Sequence, residues 1–558
     1  MSTLNLPSLL KKNFEDLNRK QILRRTKYCE TIYEEKLIIL SQYLNRIHNE
    51  KYSIRSWEII IGFWLRQFIY FSYRNYMNLK FLIRKNNIKK LIITKKNFNS
   101  EINSTFSFSE CGEDFNFNII FNSKLARYFF KKKIKLIEKS FVNQIKIKPI
   151  KFDLNLNIRF FLFSLLKFMF NIFRKKNCSF ISHTYLPFFE EKKLEHLIGQ
   201  LPTFYTEPEI NYSKYDFNLR NKIFFKKKLK KKSIVNFIDC NLKFFIPKAF
   251  IEDFKQIKLL SQSNIYPKKP KFIFSSGLFY TDEAFKAFAA SKVEAKIPLI
   301  VGQHGNNYFT RIFNNHSIDL KICDYFYSWG HKKKLKIKNF FNFRILNNNL
   351  KYNKKTKLII ILPHSKEIFF DHNSNILKNF FDIKKFIKAL KKLKKNIKEE
   401  TIIRLPKYMS NKFDIEYRSL FKSLKIEIDN GDKKIDKLLE TAKICVFNYD
   451  STGFLENTLN KIPSLILENG NYLNSININY VPRYKKLLKN KIMFTDPEKL
   501  VIHLNNNWDK INKWWISKNV DKSINLFNRN LNTKPNEDSL AILAKSLNKI
   551  KKTEIKEI

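Results

Sequence analysis

Leu299-Ile300-Val301-Gly302-Gln303-His304-Gly305-Asn306-Asn307-Tyr308 is the stretch on which the reading of this chain turns. An unbroken apolar run stops at two glycines that bracket a Gln-His pair. Such a run predicts a buried parallel strand opening into a loop. In open α/β sheets, ligands sit beyond the C-terminal ends of the strands. Gly302 and Gly305 permit a tight turn or a close approach of backbone to substrate. The chain has only ten glycines, so two within four residues single this loop out. Gln303 can donate and accept hydrogen bonds. His304 can act as a general base or, when protonated, as a phosphate partner. The plainer alternative is a histidine that only hydrogen-bonds its own turn.

Working outward, residues 271–274 predict a short strand, 275–277 a turn, and 282–293 a helix with the small residues Ala284, Ala287, Ala289 and Ala290. With the strand at 298–301 this makes a βαβ unit of the usual size. Upstream, 180–186 reads as a strand running into a loop that holds His183, followed by a helix at 190–197. Downstream, strands are expected at 357–362, 401–405, 425–428, 443–447 and 463–467. Helices are expected at 375–395, 413–422, 434–441, 452–460 and 482–488. Alternation of this kind implies a parallel sheet covered on both faces.

The fold class is therefore α/β, with two Rossmann-like domains, a helical N-terminal segment and a helical C-terminal tail. The expected boundaries are 1–95 for the helical segment, 96–340 for an N-terminal α/β domain with an insert, 355–506 for a C-terminal α/β domain, and 507–558 for the closing helices. Trp57, Trp64, Phe68 and Phe71 read as core of the first segment. A first strand is expected at 91–94. Residues 100–157 show no clear organisation, and 131–151 reads as a basic, solvated insert.

The second informative stretch is Ile444-Cys445-Val446-Phe447-Asn448-Tyr449-Asp450-Ser451-Thr452-Gly453. A buried strand gives way to a polar loop and a helix. Asp450, Ser451 or Thr452 can cap that helix, and a helix N-terminus with hydroxyls beside it is an anion site. Asn448, Asp450, Ser451 and Thr452 are thus candidates for binding a phosphate or diphosphate, and Gly305 of the first loop is a further one. Glu468 stands at the next strand end, where a carboxylate can hold ribose hydroxyls. Arg404 and Lys407 can neutralise a diphosphate leaving group, and Pro363-His364-Ser365-Lys366 is a further strand-end loop. His183, Glu207, Asp282 and Glu283 are candidates for the acceptor side.

Lys and Arg number 106 against 50 Asp and Glu, a formal net charge of +56. That charge admits an anionic partner: nucleic acid, a membrane surface or a phosphate-bearing substrate. Lys, Asn, Ile and Phe run high together, as coding from an AT-rich genome also produces. A nucleic-acid binder or a membrane-surface scaffold without catalysis would rest on charge alone. The six cysteines form no CxxC pair, which speaks against a disulfide framework or a structural zinc. No DxD-like metal pair stands out, and a reaction without metal or cofactor is expected. Residues 158–176 read as a short apolar helix ending in Arg174-Lys175-Lys176, either buried or lying in a membrane interface. No secretory signal and no membrane-spanning helix are read, so a cytoplasmic protein is expected, at most at the inner face of the membrane.

With these residues in hand, the chain resembles a family of transferases found in bacterial surface-polysaccharide gene clusters and first defined in spirochaetes. The resemblance runs through residues 53–65, Leu197-Ile198-Gly199-Gln200-Leu201-Pro202, Asp282-Glu283-Ala284-Phe285-Lys286-Ala287-Phe288, Gln303-His304-Gly305 and Tyr327-Ser328-Trp329-Gly330. It continues through Asn448-Tyr449-Asp450-Ser451-Thr452, Phe454-Leu455-Glu456, Trp508 and Trp514-Trp515. That family is similar in outline to two-domain glycosyltransferases of the GT-B architecture, and to the glycerophosphotransferases of wall-polymer synthesis. The resemblance implies a nucleotide-sugar or nucleotide-polyol donor held by the C-terminal half. It implies a glycan or lipid-linked acceptor held by the N-terminal half. One departure stands out: Asn306-Asn307 follow the His-Gly, where a further small residue is expected.

Overall fold

A computed structural model describes residues 3–10, 15–96, 102–140, 178–223, 232–331, 336–347, 356–362, 370–372, 376–406, 419–468 and 470–550. The apolar stretch 158–176, the loop Pro363-His364-Ser365-Lys366 and Lys407 lie outside the described residues.

Two parallel sheets organise the chain. The first runs in the order β4-β5-β6-β7-β8, with β4 Phe180–Ile181, β5 Ile273–Ser275, β6 Leu299–Gly302, β7 Tyr325–Ser328 and β8 Ile337–Asn339. The second has β9 Lys357–Ile361, β10 Thr401–Arg404, β11 Glu427–Asp429, β12 Ala442–Phe447, β13 Ser464–Leu467 and β14 Met493–Phe494, in the order β11-β10-β9-β12-β13-β14. Every pairing in both is parallel. All four residues of β6, and all of β12 except Lys443, are buried, as central strands covered on both faces demand. The expected α/β class with two parallel sheets is what the structure has. β14 carries no signal of its own, since a two-residue strand is too short for a pattern.

A third sheet is small and parallel, β1-β2-β3, formed by β1 Thr3–Asn5, β2 Lys90–Thr94 and β3 Lys135–Lys139. It corrects two expectations. The stretch read as a basic insert supplies β3, and the stretch without evident organisation holds the helices Thr105–Glu113 and Phe115–Phe130. β3 is largely solvent-facing, so its sequence looks like an exposed loop although its backbone is paired.

The helical start is a hairpin of Arg19–His48 and Ile54–Lys85. Asn18 and Gln21 cap the first helix reciprocally, and Ser53 caps the second. Trp57, Trp64, Phe68 and Phe71 are wholly buried. The second helix lies against Glu283–Glu294, where Ser56 Oγ donates to the Ala290 carbonyl at 3.2 Å; the alanines there make that approach possible. A buried ion pair, Arg66 Nε to Glu30 Oε1 at 2.7 Å, joins the two hairpin helices, and Arg66 also donates to the Phe313 carbonyl at 2.7 Å. The hairpin touches the second half too, through Arg19 Nη2 to the Leu473 carbonyl at 2.7 Å. It thus braces both halves from one side.

The C-terminal helices end with Lys518–Asn528 and Ser539–Asn548. Between them the chain crosses back to the first sheet: Thr533 N donates to the Trp329 carbonyl at 2.6 Å and Asn342 N to the Thr533 carbonyl at 2.9 Å. Among the described residues, no helix is long and apolar enough to cross a membrane.

Candidate active site

The β6 loop is shaped by its own residues. Gln303 N donates to the Tyr327 carbonyl at 2.8 Å, Gln303 Nε2 to the Gly305 carbonyl at 2.9 Å, and Gln303 Oε1 accepts from Trp329 N at 3.0 Å. The side chain is buried and its amide is used to hold the loop against β7. Gly302 is required by crowding at the strand ends, because a Cβ there would stand 2.3 Å from Ser276 Oγ. Asn307 adopts the left-handed conformation, φ 78°, which Asn tolerates far better than most residues. The Asn306-Asn307 departure is thereby accounted for: Asn307 makes the turn, and Asn306 reaches the second sheet.

The second loop meets the first directly. Asn306 N donates to Thr452 Oγ1 at 3.0 Å, and Asn306 Nδ2 to Asp450 Oδ1 at 2.6 Å. A Cβ on Gly305 would lie 3.3 Å from Thr452 Oγ1. The C-terminal ends of β6 and β12 therefore face each other across one seam, with His304 beside it. Ser451 caps the helix Thr452–Leu459, its Oγ accepting from Gly453 N at 3.0 Å. That helix N-terminus opens onto the same seam.

Asp450 is buried, and its other oxygen accepts from the hydroxyls of Tyr472 and Tyr484. Burial pushes its carboxyl above the ordinary range, and the hydroxyls hold it down. Both carboxylate oxygens are thus engaged by protein donors. Glu468 stands at the end of β13 and accepts from Asp450 N at 2.8 Å. Burial pushes its pKa up to about 8, with Arg311 opposing the rise. Arg311 pairs with Asp371 across the two halves and lies over the Tyr472 ring at 4.4 Å. The backbone of Asn448 donates to the Ile361 carbonyl at 3.1 Å, tying its loop to β9.

His304 sits among tyrosines. Its ring centroid is 5.6 Å from that of Tyr185, 5.2 Å from Tyr280 and 5.3 Å from Tyr308. Burial depresses its pKa, while Asp319 and the Ser276 carbonyl favour the charged ring. Tyr308 Oη lies 2.6 Å from His304 Nδ1 and donates to Asp319 Oδ2 at 2.8 Å. Arg344, in the turn after β8, is 41% exposed, stands over the Tyr185 ring at 5.6 Å and pairs with Glu456 of the helix Thr452–Leu459. It places a cation on this rim. Nothing in the sequence around Arg344 separates it from the other basic residues, and Asp319 is likewise without a local signal. Tyr308 lies within the decisive stretch, four residues after His304.

Other expected residues are placed elsewhere. Arg404 gives its guanidinium to Asp429 Oδ2 at 2.6 Å and to the Lys433 carbonyl at 2.7 Å. It stands on β10, which β9 separates from β12, and it turns toward the far edge of the sheet. Asp282 caps the helix Glu283–Glu294, accepting from Phe285 N at 2.8 Å and from the Tyr205 hydroxyl; burial pushes its pKa up to about 6. Glu283 is buried, pairs with Lys286 at 2.6 Å and accepts from Thr105 N at 2.7 Å. Burial, with Asp282 and Glu283 nearby, pushes Glu207 up to about 8. His183 is exposed in the loop after β4, with φ 53° and Nδ1 2.8 Å from Ser182 Oγ. Two residues on, Tyr185 of the same loop reaches the His304 ring.

Comparison with known proteins places the chain. The sequence profile of the LIC12162 family transferases matches residues 8–550. The chain is a LIC12162 family transferase. The match spans nearly the whole length, so both sheets, the helical hairpin and the closing helices belong to the family's pattern. No curated protein matches this LIC12162 family transferase in sequence. Among solved structures it is similar to the wall teichoic acid polymerase TagF, at 13% identity and a TM-score of 0.32, over 51% of this chain and 73% of that one. It is also similar to the spinosyn rhamnosyltransferase SpnG in complex with spinosyn aglycone, at 10% identity and a TM-score of 0.27, over 53% of this chain and 81% of that one.

Proposed function

We propose that this transferase moves a sugar, or a polyol phosphate, from a nucleotide-activated donor to a glycan or lipid-linked acceptor of cell-surface polysaccharide synthesis, at the cytoplasmic side of the membrane. The observation that carries the reading is the meeting of the two strand-end loops, Asn306 with Thr452 and Asp450, beside His304. A transferase must bring two substrates together and exclude water from the point of exchange. A seam between two parallel sheets, at the ends where such sheets bind ligands, supplies that place.

The roles follow from position. The N-terminus of the helix Thr452–Leu459, with the Thr452 hydroxyl, receives the donor's phosphates. Arg344 offsets the charge that develops on the leaving nucleotide. His304 is the general base that takes the acceptor's proton. Its burial keeps the ring neutral and able to do so, and Asp319 stabilises the charge it gains. Gln303, Gly305, Asp450 and Glu468 hold the two loops in register. Asn448 and Ser451 shape the donor-side loop. The acceptor enters past His183 and Tyr185.

The test is a thermal-shift screen of the purified chain against nucleotides and nucleotide sugars, beside an Arg344→Ala/Thr452→Val variant. One nucleotide family should raise the melting temperature of the wild type and lose most of that effect in the variant. With the donor base so named, transfer from a labelled donor to a lipid extract should vanish in His304→Ala. Absence of any nucleotide shift in the wild type, with DNA or anionic vesicles bound equally by both proteins, would sink the donor site.

A further inference from the structure

Resting on the reading of Arg344 as the cation of the donor site, we propose that Glu456 is a positioning residue for donor binding. It holds the Arg344 guanidinium by Nε and leaves the two Nη groups as a fork for the donor's diphosphate.

The side chain is fixed first at its root. Arg344 follows two residues after Asn342, which is wholly buried and whose Oδ1 accepts from Arg344 N at 3.1 Å. Asn342 Nδ2 in turn donates to Asn532 Oδ1 at 3.0 Å. Phe343 packs against Phe274 of β5, with ring centroids 6.2 Å apart. The backbone that carries Arg344 thus belongs to the core of the first half.

Its far end is fixed twice. Nε donates to Glu456 Oε1, and the guanidinium carbon stands 5.6 Å from the centroid of the Tyr185 ring. Both holders are themselves held. Glu456 belongs to the helix Thr452–Leu459, four residues after Thr452, so it shares a helix face with the hydroxyl that meets Asn306. Tyr185 follows Thr184, whose N and Oγ1 both donate to Glu191 Oε2, at 2.9 and 2.8 Å. His183 and Tyr185, on either side of Thr184, have left-handed backbones, φ 53° and 69°. Such conformations persist in residues other than glycine only where neighbours enforce them, and they gather at functional sites.

The rest of the guanidinium stays open to a ligand. Arginine carries its N–H donors in one rigid plane. Glu456 takes the one on Nε, and among the described residues no protein acceptor takes those on Nη1 and Nη2. Two parallel N–H groups match two oxygens of a phosphate. The guanidinium also stands in the seam: its charge is felt by His304 and Tyr185 of the first half and by Tyr449 and Glu456 of the second.

A loose arginine loses rotamer freedom when it binds a ligand, and one already held does not lose it again. Glu456 therefore strengthens donor binding although it carries the same sign of charge as the donor. The rival role has the opposite sign. A carboxylate that merely competes with phosphate for Arg344 would weaken donor binding, and its removal would tighten it.

The experiment titrates the full chain calorimetrically with the nucleoside diphosphates of adenine, cytosine, guanine, thymine and uracil, and carries the tightest binder into the variants. Glu456→Ala should weaken binding about fivefold to tenfold, the cost of ordering one long side chain. Glu456→Gln keeps an oxygen that accepts from Nε and should stay within about twofold of the wild type. Arg344→Ala/Glu456→Ala should bind no more weakly than Arg344→Ala alone, because Glu456 acts only through Arg344. Melting curves accompany each variant; a general loss of structure would weaken binding further in the Arg344→Ala background as well. Wild-type or tighter binding by Glu456→Ala overturns the proposal, as do additive losses in the double variant. Failure of the underlying reading looks different: Arg344→Ala would then bind like the wild type, which removes Arg344 from the donor site and this role of Glu456 with it. No binding of any nucleoside diphosphate by the wild type would remove the donor site altogether.

Discussion

Asn306 Nδ2 donates to Asp450 Oδ1 at 2.6 Å, across 144 residues of sequence. This bond joins the ends of β6 and β12, and the other oxygen of Asp450 is already taken by Tyr472 and Tyr484. Asp450 is therefore a carboxylate buried among donors, one of which comes from the opposite sheet. Asn306→Ala should lower stability by about 1–3 kcal/mol, the cost of leaving part of a buried acceptor unsatisfied. A urea-denaturation cycle with Asp450→Asn should show strong coupling between the two positions. Additive effects would mean that the bond contributes nothing to joining the halves.

Arg311 and Asp371 should behave as a single buried unit. Their side chains are 6% and 8% exposed. Removing one partner leaves the other charge buried, and Asp371→Ala should cost about 3–5 kcal/mol. The same measurement on Lys392→Ala, whose exposed pair with Glu498 lies on the surface, should show a change of about 0–1 kcal/mol. Equal losses at the two sites would contradict this ordering.

Glu468 makes a prediction about pH. Its pKa is raised to about 8 in the fold, above the usual value near 4.5. Between these values the folded chain binds more protons than the unfolded one, so this group's contribution to stability is present at low pH and is lost as pH rises toward 8. Glu468→Gln removes the titration and should flatten the fall in stability between pH 5 and pH 8. Melting temperatures of both proteins across that window check it; parallel curves would assign the slope to other groups.

Arg344→Ala should weaken nucleotide-donor binding about tenfold or more, as loss of a charge-assisted contact does. Stability should hardly change, because the Glu456 pair is partly exposed. Calorimetric titration beside a denaturation curve separates the two effects. Arg344→Lys should restore part of the affinity. Unchanged affinity in Arg344→Ala would remove Arg344 from the site.

Gly302→Ala should destabilise the first sheet by about 1–3 kcal/mol, as overpacking does, because the new Cβ would meet Ser276 Oγ at 2.3 Å. Adding Ser276→Ala should recover part of that loss. The remainder belongs to Phe274 and Phe343, which also crowd the position, at 3.1 and 3.2 Å. A double variant no better than the single one would place the strain elsewhere.

Much of this arrangement is local and can be read from neighbouring residues. β6 and β12 are legible because a central parallel strand needs apolar side chains on both faces, and Ile300-Val301 and Ile444-Cys445-Val446 provide them. Ser451 is legible as a cap because its oxygen serves an amide two residues away. Gly302 marks the loop because a Cβ there would run into Ser276 Oγ at the crowded strand ends. β3 and the helices Thr105–Glu113 and Phe115–Phe130 were not legible, since Asn and Phe recur there without a strand or helix period strong enough to choose between them.

The direction of each polar side chain was settled by packing alone. Asp450 and Asp282 look like ligand-binding carboxylates in sequence, and one is turned into two tyrosines while the other caps a helix and meets Tyr205. Arg404 looks like a phosphate ligand and faces Asp429 on the neighbouring strand. Asp319 and Arg344 carry no local mark, yet one stands behind His304 and the other beside it. A hydrogen bond or an ion pair has no periodicity along the chain. Its partner is chosen by which strand ends the two sheets bring face to face, and residues as far apart as Asn306 and Asp450 become neighbours only when both sheets have formed and docked.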